Sequence, residues 1–417
     1  MMTYRINQVL NLISALLLLT GFGISIAHAA PSDHFITTWK TDNPGQSNDT
    51  SITVPMVGGP YDVDWDNDGT FDEFWLTGWV THDFGAPGTY TIRIAGSYRS
   101  IDFYHSGDND KIVSIDQWGT QAWTTMGFAF AGCSALEILA ADLPDFSGVN
   151  DMRYMFFEAA AANPDTSGWD TSSVTNMSAM FAGASAANPD TSGWNTSLVT
   201  DMNSMFAGAT AANPDTSGWD TSSVTNMHSM FADATSANPD TRGWNTSSVT
   251  DMNSMFAGAT AANPDTSGWD TSSVTNMQSM FADATSANPD TSGWDTSLVV
   301  DMSDMFYRAT SANPDTSGWN TSSALVMSYM FYQATSANPD TSGWDTSSVH
   351  GMRYMFSGAT AANPDTSGWD TSSVTHMHSM FANASAANPD TSGWNTSSVV
   401  KMSSMFYRAT SADPDAS

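Results

Sequence analysis

The sequence is poor in cysteine and in positive charge. Cys133 is the only cysteine among 417 residues, so no disulfide can form within the chain and its stability must come from packing. Lysine and arginine number 11 against 43 aspartates and glutamates, which gives a formal net charge of −32. Because so negative a surface repels DNA, RNA and anionic lipid at moderate ionic strength, we expect no nucleic-acid partner.

Long apolar runs are absent after the N-terminal segment. The run ISALLLLTGFGISI at residues 13–26 follows Arg5 and precedes an Ala-His-Ala sequence that ends at Ala29. This run is too short for a comfortable membrane span. The pattern predicts a secretory signal peptide at residues 1–30, cleaved after Ala29 or Ala30. We therefore expect a secreted or cell-surface protein without a transmembrane segment in its mature form.

Large apolar side chains are abundant. The chain has 16 tryptophans, 21 phenylalanines and 26 methionines, far more than a disordered chain carries. Residues 31–110 do not repeat and contain short alternating runs such as SITVPMV, YDVDW and TYTIRIAG, separated by the turn signals GGP, DNDG and GAPG. This pattern predicts an N-terminal head that is a small antiparallel β-sandwich.

A period of 25 residues governs the chain from residue 151 to residue 417, in about eleven copies. In one copy, apolar residues recur at helical spacing at Val174, Met177, Met180, Phe181 and Ala184. That spacing predicts a short helix, capped by the preceding Asp-Thr-Ser. The NPDTSGW half of each copy contains Pro and Gly and predicts a short extended run. Residues 111–150 hold an imperfect copy, predicted to be an irregular capping coil.

One copy cannot bury its own apolar stripe, so successive copies are expected to share a core. The predicted fold class is therefore α+β, a leucine-rich-repeat-like right-handed solenoid of short strands and short helices, preceded by the small β-sandwich. Coils about 4.8 Å apart would make a rod about 50 Å long.

The repeat unit GWDTSSVTNM followed by MF resembles the BspA-like leucine-rich-repeat surface proteins of bacteria. The head, with YDVDWDNDGT and PGTYTIRIAG, resembles a PKD-type, immunoglobulin-like module. The resemblance implies a cell-surface or secreted protein that takes part in adhesion and in contacts with partners.

An acidic loop in the head is the sharpest local motif. Its carboxylates are those of Asp64, Asp66, Asp68, Asp72 and Glu73. Alternating carboxylates followed by glycine suit a calcium ion, although the twelfth position is Trp75 and not the Glu of an EF-hand. The alternative is an acidic hairpin turn without a metal. Calcium is the only cofactor that the sequence suggests, and none is required.

Aspartates also recur once per coil, at positions such as Asp165 and Asp170. They would either accept local turn and cap hydrogen bonds or bind a ladder of calcium ions. Every coil offers the same two carboxylates, whereas an active site needs one unlike pair. We therefore predict that the protein is not an enzyme and has no catalytic residue. His376 and His378 are predicted to point apart and not to bind zinc.

Late copies carry aromatic and basic residues where most copies have Ala, Ser or Gly. The candidate ligand-binding residues are Tyr307, Arg308, Tyr329, Tyr332, Arg353 and Tyr354. Tyrosine and arginine are typical of contact surfaces for proteins or glycans, whereas neutral drift at exposed positions is the alternative. The predicted function is adhesion or multivalent binding of a protein or glycan partner. The competing hypothesis is a structural spacer that holds the head away from the cell.

Overall fold

The structure is a computed structural model that describes residues 33–413. The predicted signal peptide lies outside the described residues. The head contains the strands β1 Phe35–Lys40, β2 Ser51–Asp64, β3 Glu73–Leu76, β4 Trp79–Asp83 and β5 Thr89–Ile101, and the capping segment that follows contains β6 Ile112–Gln117 and β7 Glu137–Ile138. Within residues 33–413 no helix has the length and apolar character needed to cross a membrane.

The seven strands form one hydrogen-bonded sheet, in which six follow the order β3-β2-β5-β1-β6-β7 and β4 pairs with β2 outside this path. The long strand β2 joins its two parts, because its first half pairs with β4 and its second half with β3 and β5. Alternate side chains of β1 and β5, such as Phe35, Trp39 and Ile94, are completely buried. The head is thus an antiparallel sheet that packs its apolar face inward.

The head continues into the repeats without a break in the core. Strand β6 pairs in parallel with β7, which belongs to the first coil. The N–H of Met126 donates to the carbonyl of Asp151 at 2.9 Å, and the ring of Phe130 stacks on that of Phe156 at 5.6 Å. Residues 126–132 therefore hydrogen-bond to the second coil as each later coil does to its successor. Cys133 is completely buried at the position that later coils fill with alanine.

The predicted α+β class is wrong, because no α-helix occurs between residues 33 and 413. The five apolar residues expected on one helical face are all buried, but their backbone is a chain of turns. The N–H of Phe181 donates to the carbonyl of Met205 in the next coil at 2.9 Å, not to a carbonyl four residues earlier as in a helix. The repeats are thus β-like, with one single-residue parallel bridge between successive coils.

Left-handed backbone explains why the helices fail to form. Ala179 has a φ of 51° and Gly183 a φ of 74°, and equivalent residues of the other coils are also left-handed. Two such residues four apart interrupt a right-handed helix. Between them, alternate N–H groups turn outward to the next coil, so contacts between coils override the local helical spacing.

The interior of the repeats consists of columns of identical side chains. Successive tryptophan rings, for example Trp194 and Trp219, lie 6.4 Å apart and 1° from parallel. Phenylalanine rings such as Phe206 and Phe231 stack at 5.5 Å. One apolar core runs from Phe35 in the head to Ala387. Each coil thus completes the core of its neighbours.

The NPDTSGW segment forms no strand, contrary to the predicted extended run. Side chains connect it to the next coil instead. The buried hydroxyl of Thr191 donates to the carbonyl of Asp215 at 2.6 Å, and the side-chain oxygen of Asn163 accepts from the N–H of Asn188 at 2.9 Å. These hydrogen bonds between coils hold the segment in place, because its proline lacks the N–H that pairing as a regular strand would need.

Candidate binding face and acidic loop

Two columns of side chains point outward from the turns of each coil. The first is the left-handed position occupied by Ser229 and Ser254, and the second lies three residues later at Ala232 and Ala257. We call the surface that these two columns form the outer face. In the middle coils the residues there are small, so any large side chain in these columns stands above its surroundings.

Four tyrosines of the outer face form one cluster, which we call the tyrosine cluster. Tyr307 stacks on Tyr332 at 4.9 Å and 11°, and Tyr329 stacks on Tyr354 at 4.8 Å and 9°. The two stacks touch, with the rings of Tyr329 and Tyr332 at 5.7 Å. All four side chains are partly exposed. The structure therefore brings together the tyrosines that the sequence singled out.

The two predicted arginines flank this cluster. The guanidinium of Arg353 lies 5.4 Å from the ring centre of Tyr329, and that of Arg308 lies 5.9 Å from Tyr307. Arg308 also pairs with Asp283 at 3.3 Å. Both are exposed, so they hold charge at the rim of an aromatic surface.

Burial changes the acidity of Tyr329 in the cluster and of Asp304, which precedes Tyr329 in the same outer-face column. It raises the pKa of Tyr329, an effect that the charge of Arg353 partly offsets. Burial also raises the pKa of Asp304, and the charge of Asp301 adds to this. Burial therefore favours the neutral forms of Tyr329 and Asp304.

A second aromatic cluster, at the start of the repeats, was missed by the sequence reasoning. Phe128 stacks on Tyr154 at 4.8 Å and 4°, and Phe157 contacts Tyr154 at 5.3 Å. The guanidinium of Arg153 lies 5.6 Å from the ring centre of Phe128. The three aromatic residues occupy the same outer-face columns. Following the columns back by 25 residues to Tyr154 and Phe157, and by 26 more from Tyr154 to Phe128, would have revealed them.

The acidic loop brings together only part of its predicted ligand set. Carboxylate oxygens of Asp64, Asp66 and Asp72 all lie within 4.8 Å of one another. Asp68 instead accepts the N–H of Thr70 at 2.8 Å, and Glu73 lies 3.9 Å from the imidazole of His82. Three of the five predicted ligands could therefore share a cation, and two could not in this arrangement.

Groups within the protein already donate hydrogen bonds to Asp64, the buried carboxylate of this loop. Asp64 accepts the backbone N–H groups of Asp68 at 3.2 Å and Gly69 at 2.9 Å. The guanidinium of Arg93 lies 3.7 Å from the same carboxylate and donates to Asn67 at 2.7 Å. These contacts would hold the turn without a metal, which is the alternative that the sequence left open.

The aspartates that recur once per coil accept hydrogen bonds within local turns. The carboxylate of Asp165 accepts both the N–H and the hydroxyl of Ser167, at 3.1 and 2.7 Å. The hydroxyl and then the N–H of the serine lower the pKa of Asp165, and Ser172 does the same for Asp170. These contacts are the local turn bonds that the sequence offered as one account of the columns.

Comparison with known proteins identifies the class to which these repeats belong. The family described as "Mycoplasma protein of unknown function, DUF285" matches residues 124–243, 235–343 and 327–417. Three successive matches cover well over half of the chain, so the protein belongs to this family of repeat proteins. No curated protein and no solved structure matches the chain.

Proposed function

We propose that the protein is exported and acts as a non-catalytic binding or adhesion protein, with the tyrosine cluster as a contact surface for protein or glycan partners. The observation that carries this proposal is the pair of touching tyrosine stacks, flanked by Arg308 and Arg353. The surface around them consists mostly of small and acidic side chains. Aromatic and arginine side chains dominate the energetics of most contact surfaces.

Repetition supports a multivalent mode of action. The outer face carries one aromatic group near the head and another about seven coils further along. A partner that touches both gains avidity without strong contacts at either one. The likeness to BspA-like proteins and to a PKD-type head is part of this proposal.

We propose no catalytic role because the coils are closely alike in sequence. Asp165 and Asp170 are each hydrogen-bonded to a serine and each has a lowered pKa. Acid–base catalysis needs two groups whose environments push their pKa values apart. Asp165 and Asp170 share one kind of environment, which favours a structural role.

Attachment of the purified chain to immobilised proteins and glycans tests the proposal. Each tyrosine is replaced by the residue that a middle coil carries at that position: Tyr307→Ala, Tyr329→Ser, Tyr332→Ala and Tyr354→Ser. We expect attachment to fall at least tenfold while the melting temperature changes little. The control is Leu298→Ser, an exposed side chain outside the cluster. Unchanged attachment of the tyrosine variant would favour the spacer hypothesis instead.

A further inference from the structure

The residues that form the single parallel bridge of each coil change character late in the array. We call them the bridge column. From Asp151 to Asp301 the column alternates aspartate and asparagine. The next four positions are Val326, Gly351, His376 and Lys401. The bridge column therefore begins acidic, becomes neutral and ends basic, in a chain with only 11 lysines and arginines.

An open cavity of about 250 Å³ lies at this change, beside the tyrosine cluster. Its polar lining comes from Ser328, His350, Arg353, Thr375 and His376. Gly351 helps to open it, because a Cβ there would lie 3.0 Å from the hydroxyl oxygen of Ser328. Earlier coils fill the equivalent position with Asp or Asn, so the cavity belongs to these late coils.

The hydrogen bonds of Thr375 orient one imidazole of the cavity. The Thr375 hydroxyl donates to the carbonyl of His350 at 3.0 Å and lies 2.9 Å from Nδ1 of His376. Since the hydroxyl hydrogen is already used, Nδ1 of His376 carries its own hydrogen and donates to it. Nε2 is then the ring nitrogen of His376 that Thr375 does not engage, and it is the one left for a ligand in the cavity.

Further basic groups surround the cavity. The ring of His378 lies 6.3 Å from that of His376 and 5.0 Å from that of Tyr354. Burial, followed by the charges of Lys401, Arg353 and His376, lowers the pKa of His378. Asp304 of an earlier coil interacts with the charge of Arg353, and burial, followed by the charge of Asp301, raises the pKa of Asp304. Arg353 therefore gives the cavity its positive charge, and no carboxylate lines it.

We propose that this cavity binds the carboxylate or sulfate group of an acidic polysaccharide, held by His350, Arg353 and His376, while the attached sugar contacts Tyr329 and Tyr354. This proposal rests on the proposed binding function and names its ligand class. The arginine supplies a fork of donors that matches an oxyanion. The phenol and serine hydroxyls offer hydrogen bonds to sugar hydroxyls.

The dimensions favour a sugar over an acidic protein. A cavity of about 250 Å³ is near the lower limit of small-molecule sites and admits a ring with its charged group. A protein partner would need about 800 Å² of surface on each side, far more than this cavity offers. A polysaccharide can enter the cavity one residue at a time and leave its remaining length in solvent.

Binding of soluble polymers to residues 31–417 tests the proposal. The probes are polygalacturonate, dextran sulfate, neutral dextran and polyglutamate. The variant carries His350→Thr, Arg353→Ser and His376→Asn, residues that other coils hold at these positions. The matched control is Arg242→Ser, which removes an exposed arginine paired with Asp240 and restores the serine of neighbouring coils.

We expect the unaltered chain to bind polygalacturonate or dextran sulfate at least tenfold more tightly than dextran or polyglutamate. The triple variant should lose at least tenfold in affinity, whereas Arg242→Ser should not. Equal binding of dextran or polyglutamate, no binding of either acidic polysaccharide, or full binding by the triple variant would overturn the proposal. The attachment assay with the tyrosine variant does not depend on these results and judges the proposed function separately.

Discussion

The indole rings of Trp219 and Trp244 lie 6.3 Å apart and 2° from parallel. They belong to successive coils, and both are almost completely buried. Each ring therefore covers one face of its neighbour, and the same relationship recurs along the array. Since no coil covers its own tryptophan, stability is shared between neighbours.

Replacing one of these rings should weaken several coils. We expect Trp244→Ala to lower the free energy of unfolding by about 3–5 kcal/mol, because it leaves a cavity between Trp219 and Trp269. Chemical denaturation followed by fluorescence would measure the loss. Leu298→Ser, at a half-exposed position, should change stability by less than about 0.5 kcal/mol. Similar effects of the two substitutions would contradict the shared core.

Left-handed turns should tolerate asparagine better than a β-branched residue. Gly208 has a φ of 70°, and a Cβ there would have 3.7 Å to its nearest neighbours. Space is therefore available, and backbone strain decides the outcome. We expect Gly208→Val to cost about 1–2 kcal/mol, and Gly208→Asn to cost less because Asn383 already adopts a φ of 59°. Thermal unfolding of both variants compares them, and equal costs would argue against the left-handed turn.

Acid should destabilise the repeats through their aspartate turns. Hydrogen bonds from Ser217 lower the pKa of Asp215 from 3.8 in the folded chain. A carboxyl with a lowered pKa stabilises the fold above its unfolded pKa and loses that contribution as pH falls through the folded value. The melting temperature should therefore drop as the pH falls below about 4.

Removing the serine hydroxyls should weaken this pH dependence. The triple variant Ser217→Ala, Ser267→Ala and Ser317→Ala lacks three hydroxyl donors to carboxylates. Its melting temperature should be lower at pH 7 and should fall less in acid. The control Ser223→Ala removes a hydroxyl that donates to the carbonyl of Ser197, and it should leave the pH dependence unchanged. An unaltered acid profile in the triple variant would refute this role.

Calcium should raise the melting temperature if the acidic loop binds it. A concentration of about 5 mM exceeds the dissociation constants of about 10⁻⁴–10⁻³ M found for extracellular modules, and binding to the folded form stabilises it. Asp66→Asn should abolish the increase, because Asp66 lies in the carboxylate trio. Glu73→Gln should preserve it, since Glu73 lies toward His82. An unchanged melting temperature with calcium would rule out the site.

The head shows where turn signals mislead. SITVPMV and YDVDW read as two strands separated by Gly-Gly-Pro, but they are the single strand β2. Gly58 and Gly59 adopt φ values of 91° and 129°, and the register with β5 shifts there. The glycines produce an irregularity within a strand, not a turn between two strands, and pairing with β5 decides between these outcomes.

The 25-residue period by itself determined which residues are buried and which share a column. It placed Tyr307 beside Tyr332 and Tyr329 beside Tyr354, because identical coils stack with identical side chains in register. Only the tertiary structure decided the conformation of each coil. The spacing of Val174, Met177 and Phe181 suits a helix as well as a chain of turns, and hydrogen bonds to the next coil select the turns. Those bonds join residues 24 apart, so no local pattern along the chain could have revealed them.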